Sequence, residues 1–203
     1  MKTFDVLIIG GGAAGLSCAL ILGSASTKPF AKDKKVGIIT HQKSSALQNA
    51  LLNNVLGFEK GTQGGEILAK GLNQLTNLYP EVVQIEKEKV TKVEGVFSNF
   101  TITTNKGVYT TKSIVVAVGP SNLFNIEGLM QYVIPHKNLP PQKERIMLKN
   151  NNHLIAEGLF VVGVLAGWRS QFAIAAGSGA QVATDILTQW NNGNHTMIHD
   201  VIE

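Results

Sequence analysis

Gly10, Gly12 and Gly15, in the stretch IGGGAAG, fit the spacing G-x-G-x-x-G. Each glycine has a physical reason to hold a dinucleotide: the first allows a tight turn, the second lets the backbone approach a pyrophosphate, and the third lets a helix pack closely on a strand. The phosphates would rest on the amides of Ala13 and Ala14 at the start of the helix, where the helix dipole favours negative charge. The same stretch admits a competing reading as an export signal, with Lys2 as its charged start and GSAS at residues 23–26 as a cleavage site. Three glycines would interrupt the helix that such a signal needs, and Asp5 sits where positive charge belongs. The nucleotide turn is therefore the preferred reading, and a cytoplasmic location is expected. A carboxylate about 20 residues past the motif commonly takes hydrogen bonds from the adenosine ribose. Asp33 has the right count but precedes the second strand. The residue that ends this strand is Thr40, whose hydroxyl stands in place of a charged grip, with His41 next.

Other residue types exclude other chemistries. The single cysteine, Cys18, excludes an intrachain disulfide, a CxxC dithiol and a multi-cysteine zinc site. It falls inside the first helical stretch, where a buried and inert thiol is expected. Tyr109 and Lys112 miss the Tyr-x-x-x-Lys spacing of a short-chain dehydrogenase, and the GSG at residues 177–179 lies within a helical stretch rather than at a nucleophile elbow. Of the five histidines only His195 and His199 share an i, i+4 spacing, and their place near the end of the sequence reads as surface rather than metal site. The net charge of +4 comes from scattered Lys and Arg, so no nucleic-acid partner is expected. No apolar run reaches the roughly 18 residues of a membrane span without a glycine cluster. With 203 residues, 44% of them hydrophobic, the chain is long enough for one domain with a substantial core.

The elements that must position these residues follow from the patterning. Residues 6–9 are an apolar, largely β-branched strand, residues 13–22 a helix of small and apolar residues, and residues 36–40 a second strand, together one βαβ unit. Between residues 44 and 77 the pattern is helical in places, with Ile67, Leu68, Leu72 and Leu75 forming one apolar stripe. After Pro80 the texture becomes a strand and then an antiparallel meander, with turns expected at Gly95, at Ser98-Asn99 and at residues 105–107. The meander leads into the apolar strand 114–118, which reads as buried on both faces. Residues 120–152 are irregular. A second apolar strand is expected at residues 158–164, and a helix at residues 172–190 whose Gly177 and Gly179 imply a close neighbour.

Three segments carry a family resemblance. TTKSIVVAVGP (residues 110–120), EGLFVVGVLAGWRSQFAIAAGSGAQVATDIL (residues 157–187) and NNVLGFEKGTQGGEIL (residues 53–68) resemble, in order, parts of the FAD-binding domain of the thioredoxin reductase-like flavoproteins. These belong to the wider pyridine nucleotide-disulfide oxidoreductase family. The resemblance implies an α/β fold, a FAD-binding Rossmann-type three-layer domain with a parallel sheet and a small antiparallel β-meander. It implies FAD as cofactor, held by Gly10, Gly12, Ala13, Ala14, Gly15, Thr40, His41, Asn54, Gly119, Gly163, Val164, Arg169 and Gln171. The helix from residue 172 would aim its first amides at the flavin N1 and C2 carbonyl region.

The departures are as informative. The family's final strand ends in Gly-Asp, whereas Gly163 is followed here by Val164. Thr40 and Val164 thus both lack an acid, and each lost charged hydrogen bond weakens affinity by about 1.5–3 kcal/mol unless other contacts replace it. Family reductases insert an NAD(P)H-binding domain, carrying the CxxC, ahead of the last segment. The expected organisation here is a single domain over residues 1–203, with residues 1–119 and 145–190 as flavin-domain segments and 120–144 as a short connection in place of that insertion. The reading is a minimal FAD flavoprotein, an oxidoreductase or electron-transfer protein without dithiol chemistry. NADH, NADPH or a redox partner protein would supply electrons, and a homodimer is expected from the family. A non-catalytic nucleotide-binding or scaffold protein with a degenerate flavin site is the alternative, and a plain NAD(P)-binding domain a third.

Overall fold

The computed structural model describes residues 2–41 and 45–199; Ser44, where the helical texture was expected to begin, lies outside them. The chain starts with β1 (Lys2–Ile9), α1 (Ala13–Ser24) and β2 (Val36–Thr40), so the βαβ unit stands where the sequence places it. Two short strands, β3 (Leu51–Leu52) and β4 (Thr62–Gln63), pair with each other and flank the loop at residues 53–61. Then come α2 (Gly64–Leu78), β5 (Val83–Glu86), β6 (Val90–Val96), β7 (Asn99–Thr104) and β8 (Val108–Val116). The remainder holds β9 (Val133–Pro135), β10 (Ile146–Leu148), β11 (Leu154–Ala156), β12 (Leu159–Val161) and α3 (Phe172–Trp190).

The main sheet has the order β11-β12-β8-β1-β2-β5, parallel from β12 to β5, with β11 antiparallel at one edge. β8 is shared: residues 108–111 pair with β7 in the antiparallel meander β6-β7-β8, whereas Ile114 to Val116 pair with β12 along the same edge. Parallel strands covered on both faces are apolar at every position, with alternate side chains going to opposite layers. Val6 and Ile8 of β1, with Val115 and Phe160, join the helical layer of α1 and α3. Leu7 and Ile9, with Ile114 and Val116, join the layer that the meander and the segment after β8 build on the other face. The architecture is the expected three-layer α/β domain.

Five details differ from the sequence reading. β1 begins at Lys2, because Lys2 to Phe4 pair with Tyr109 to Thr111 of the meander's third strand. Gly95 lies within β6 rather than at a turn; a Cβ there would strike the Asn99 carbonyl across the hairpin, so its glycine serves a close approach. The strand expected at residues 158–164 ends at Val161, and residues 163–166 form a 3-10 turn, since Gly163 at φ +71 leaves the extended region. The apolar strand at residues 114–118 likewise ends at Val116. The irregular segment after β8 contains the pair β9-β10, which sequence periodicity is too short to show. Among the described residues no helix is long and apolar enough to cross a membrane.

Candidate functional site

The glycine turn is built as a tightly backed corner. Gly10 has φ +114, a region L side chains avoid, and its N–H donates to the Ile39 carbonyl at 2.9 Å. The Ala117 amide donates to the Ile9 carbonyl at 2.8 Å, and a Cβ on Gly10 would run into the Ala117 carbonyl. A Cβ on Gly15 would strike the Gly10 carbonyl, which fixes α1 directly on the turn. Gly12 is different: a Cβ there would approach only the Ser45 Oγ, at 3.4 Å. Gly12 is also the N-cap of α1 and no side chain caps that end, so among the described residues the first-turn amides at Ala13 and Ala14 have no side-chain acceptor. Ser45 carries no motif; its Oγ accepts from the Leu47 N–H at 3.3 Å and caps the short 3-10 turn beside this opening.

Beside the corner, at the carboxyl ends of β1, β2 and β8, lies a cavity of about 420 Å³. Gly10, His41, Glu88, Gly119 and Phe124 are among the residues that line it. A cleft at the carboxyl end of an open parallel sheet is where such folds bind ligands. Thr40 is buried, and its Cγ2 occupies the space next to Gly11. A Cβ on Gly119 would meet nothing within 4 Å, so the backbone there borders open space.

The second half of the site surrounds the start of α3. α3 packs on α1 where a Cβ on Gly179 would strike Ala14 backbone, whereas Gly177 meets nothing within 4 Å. The close neighbour expected from the two glycines is thus α1 at Gly179 alone. Gly163 is buried, its N–H donates to the Ser178 Oγ at 2.7 Å, and a Cβ there would lie 3.1 Å from the Ala14 Cβ. Gln171 is the N-cap residue of α3 and, as at α1, no side chain caps the helix. Phe58 meets Phe172 edge to face at 5.3 Å, which brings the loop at residues 53–61, with exposed Asn54, to the same end of α3. Arg169 is exposed.

The segment after β8 supplies groups that no motif announces. His136 is buried; it donates through Nε2 to the Val164 carbonyl at 2.8 Å and accepts at Nδ1 the Asn138 N–H at 3.1 Å. Asn138 donates to the Gly167 carbonyl at 2.7 Å, and Asn150 to the Ala166 carbonyl at 3.1 Å. His153, 3% exposed, donates through Nδ1 to the Val161 carbonyl and accepts at Nε2 the Trp168 indole N–H at 3.3 Å. The turn at residues 163–167 is therefore fastened, carbonyl by carbonyl, to a segment that reads as a loose connection.

The predicted residues thus fall into three neighbouring groups. Gly10, His41 and Gly119 border the cavity with Thr40 beside it, Gly12, Ala13, Ala14 and Gly15 form the turn, and Asn54, Gly163, Val164, Arg169 and Gln171 gather near α3. Sequence reasoning missed Glu88, Ser45 and His136, because each acts through a fold contact. Among the described residues no group of three His, Cys, Asp or Glu side chains is placed to hold a metal ion.

Comparison with known proteins gives the context. The family model for pyridine nucleotide-disulphide oxidoreductases matches residues 4–178. An uncharacterized oxidoreductase of Bacillus velezensis, CzcO, is 26% identical over 196 residues, covering 90% of this chain and 52% of that protein. The ferredoxin–NADP reductase of Leuconostoc citreum is 29% identical over 160 residues, covering 76% of this chain and 45% of that protein. The chain spans about half the length of these relatives. The structure of a thioredoxin reductase from Gloeobacter violaceus superposes with a TM-score of 0.71 at 14% identity, covering 100% of this chain and 99% of that one, a likeness of fold.

Proposed function

The chain belongs to the pyridine nucleotide-disulphide oxidoreductase family, and from that premise we propose that it is a minimal flavoprotein that binds FAD and transfers electrons without a dithiol of its own. The observation that carries the reading is a pair of helix N-termini, at Gly12 and Gln171, neither closed by a side chain. They are fastened to each other where Gly179 and Gly163 meet Ala14. Gly179 lies seven residues into α3, so the two ends stand on the order of 10 Å apart along the helix rise. Two such ends suit a ligand with a pyrophosphate at one point and a ring that gains negative charge at another. The residues fit FAD: Gly12 and Gly119 leave open approaches, and the cavity beyond Gly10 has room for an adenosine.

In this reading Gly12, Ala13 and Ala14 hold the pyrophosphate, and Gly10, Thr40, His41 and Gly119 border the adenosine. Gln171 and the first amides of α3 face the reactive ring, with Asn54, Val164 and Arg169 around it. A bound flavin would supply the electron chemistry that no side chain here offers. The protein's own part is to orient the ring, to favour its reduced charge through the α3 terminus, and to keep the turn at residues 163–167 rigid through His136, Asn138 and Asn150. Residues 1–203 form one flavin domain in which residues 120–144 stand in for an inserted NAD(P)H domain. Electrons come from NADH, NADPH or a partner protein, and a homodimer belongs to the same reading, testable by sedimentation.

Purified protein is expected to be yellow or to take up FAD, with the released chromophore identified as FAD. Colourless protein that binds no FAD at high micromolar concentration overturns the proposal. The neutral residues Thr40 and Val164 favour a second reading, a nucleotide-binding protein that has lost redox function. Bleaching of the bound flavin by NADH or NADPH, or by a reduced carrier protein, separates the two.

A further inference from the structure

We propose that Glu88 is the acid that takes the hydrogen bonds of the adenosine ribose in this chain, in place of the carboxylate missing at Thr40. The inference rests on the nucleotide site proposed above. Thr40 ends β2 with its methyl group turned toward Gly11. Glu86 stands opposite Thr40 at the end of the adjacent strand β5, and Glu88 lies two residues beyond it, its N–H donating to the Thr40 carbonyl at 3.2 Å, which holds it at the carboxyl edge of the sheet. Glu88 lines the same cavity as Gly10, His41 and Gly119.

Its carboxylate is half-buried and held in one orientation. The Tyr109 hydroxyl lies 3.0 Å from each of its oxygens, and the Thr104 hydroxyl donates to Oε2 at 2.6 Å. A carboxylate has acceptor sites for about four hydrogen bonds, so two hydroxyl donors leave capacity for a ligand. Among the described residues no cation is ion-paired with it. Fastening the chain ahead of β6 to β7 and β8 needs only a neutral acceptor. Lys89, His41 and Asn125 line the cavity too, and against the apolar remainder of the wall, Ile9, Ile39, Val90, Phe124 and Ile126, a polar ligand offsets the cost of the charge. Burial first, and then the hydrogen bond to Glu88, hold the Tyr109 phenol above its ordinary value. Tyr109 and Thr104 are positioning residues for Glu88. A carboxylate at this place accepts from the ribose hydroxyls and repels a 2′-phosphate, so Glu88 also sets nucleotide selectivity.

The test is calorimetric titration of the whole chain with ADP, 2′,3′-dideoxy-ADP and 2′,5′-ADP, and flavin-fluorescence titration with FAD, for wild type, E88Q and the double variant T40E/E88Q. Glutamine keeps an acceptor for Tyr109, and thermal melting verifies that each variant is folded. E88Q is expected to lose about ten- to a hundredfold in affinity for ADP and FAD, to lose little for the dideoxy nucleotide, and to gain affinity for 2′,5′-ADP. T40E/E88Q is expected to recover ADP binding. Unchanged ADP binding in E88Q, or an equal loss for ADP and its dideoxy analogue, overturns the role of Glu88 while leaving the nucleotide site standing. Wild type that binds neither ADP nor FAD overturns the site itself.

Discussion

Neighbouring glycines in one motif do different work, and single substitutions separate them. A Cβ on Gly15 collides with the Gly10 carbonyl, backbone that cannot turn aside, so Gly15→Ala is expected to lower stability by about 1–3 kcal/mol or more, read as a fall in the urea midpoint. Gly12 has φ −83, which any residue adopts, and only the Ser45 hydroxyl nearby. Gly12→Ala should therefore melt within roughly 0.5 kcal/mol of wild type while weakening FAD uptake in a fluorescence titration. Equal losses of stability in the two variants would contradict this division. Cys18 shows no exposed surface, and burial pushes its thiol well above the ordinary value of 9.0. It should resist an aromatic disulfide reagent at pH 8 in the native state and react at once in denaturant. The glycine spacing and the fate of Cys18 were legible in the sequence because each depends on its immediate neighbours. Glu88 was not, because its place beside Thr40 exists only once β2 and β5 pair.

At the scale of elements, the boundaries of β2 and α3 follow the sequence pattern to the residue, since a polar loop precedes one and an uncapped glutamine the other. The segment between β8 and β11 defeated that reading. Its contribution lies in side chains that reach distant carbonyls: His136 to Val164, Asn138 to Gly167, Asn150 to Ala166. None of these pairings has a period. His136→Ala removes the only side-chain donor to the Val164 carbonyl among the described residues and the acceptor of the Asn138 N–H, and an expected cost of about 1–3 kcal/mol follows from two lost hydrogen bonds. The amides of residues 163–167 should exchange faster with solvent in this variant, while those of β1 and β2 keep their protection. Exchange that rises equally everywhere would mean that His136 supports the fold as a whole rather than this turn.

For the whole molecule, the three groups raised above their ordinary values among the described residues, Cys18, Lys92 and Tyr109, act in the same direction. A group that holds its proton more tightly when folded contributes stability that is complete below its unfolded value and is lost as pH rises past it. Urea stability should accordingly be flat near pH 8 and decline above about 9, where the unfolded thiol ionises, and further past 10, where the unfolded phenol does. Cys18→Ala should remove the first part of that decline. The central strand also sets the order in which the molecule is assembled. β1 finds β2 early, Val6 opposite Val36, but its other neighbour is β8, and Thr3 bonds Thr110 across 107 positions of sequence. The corner at Gly10 is held only from the β2 side, through Ile39, until Ala117 arrives. On the ribosome, a nascent chain that stops short of β8 has an edge strand with its apolar faces bare. Stalled chains released at residue 105 should be digested by protease, whereas those long enough to include β12 and α3 should resist it. The glycine corner, first in the sequence, is among the last parts of the protein to exist.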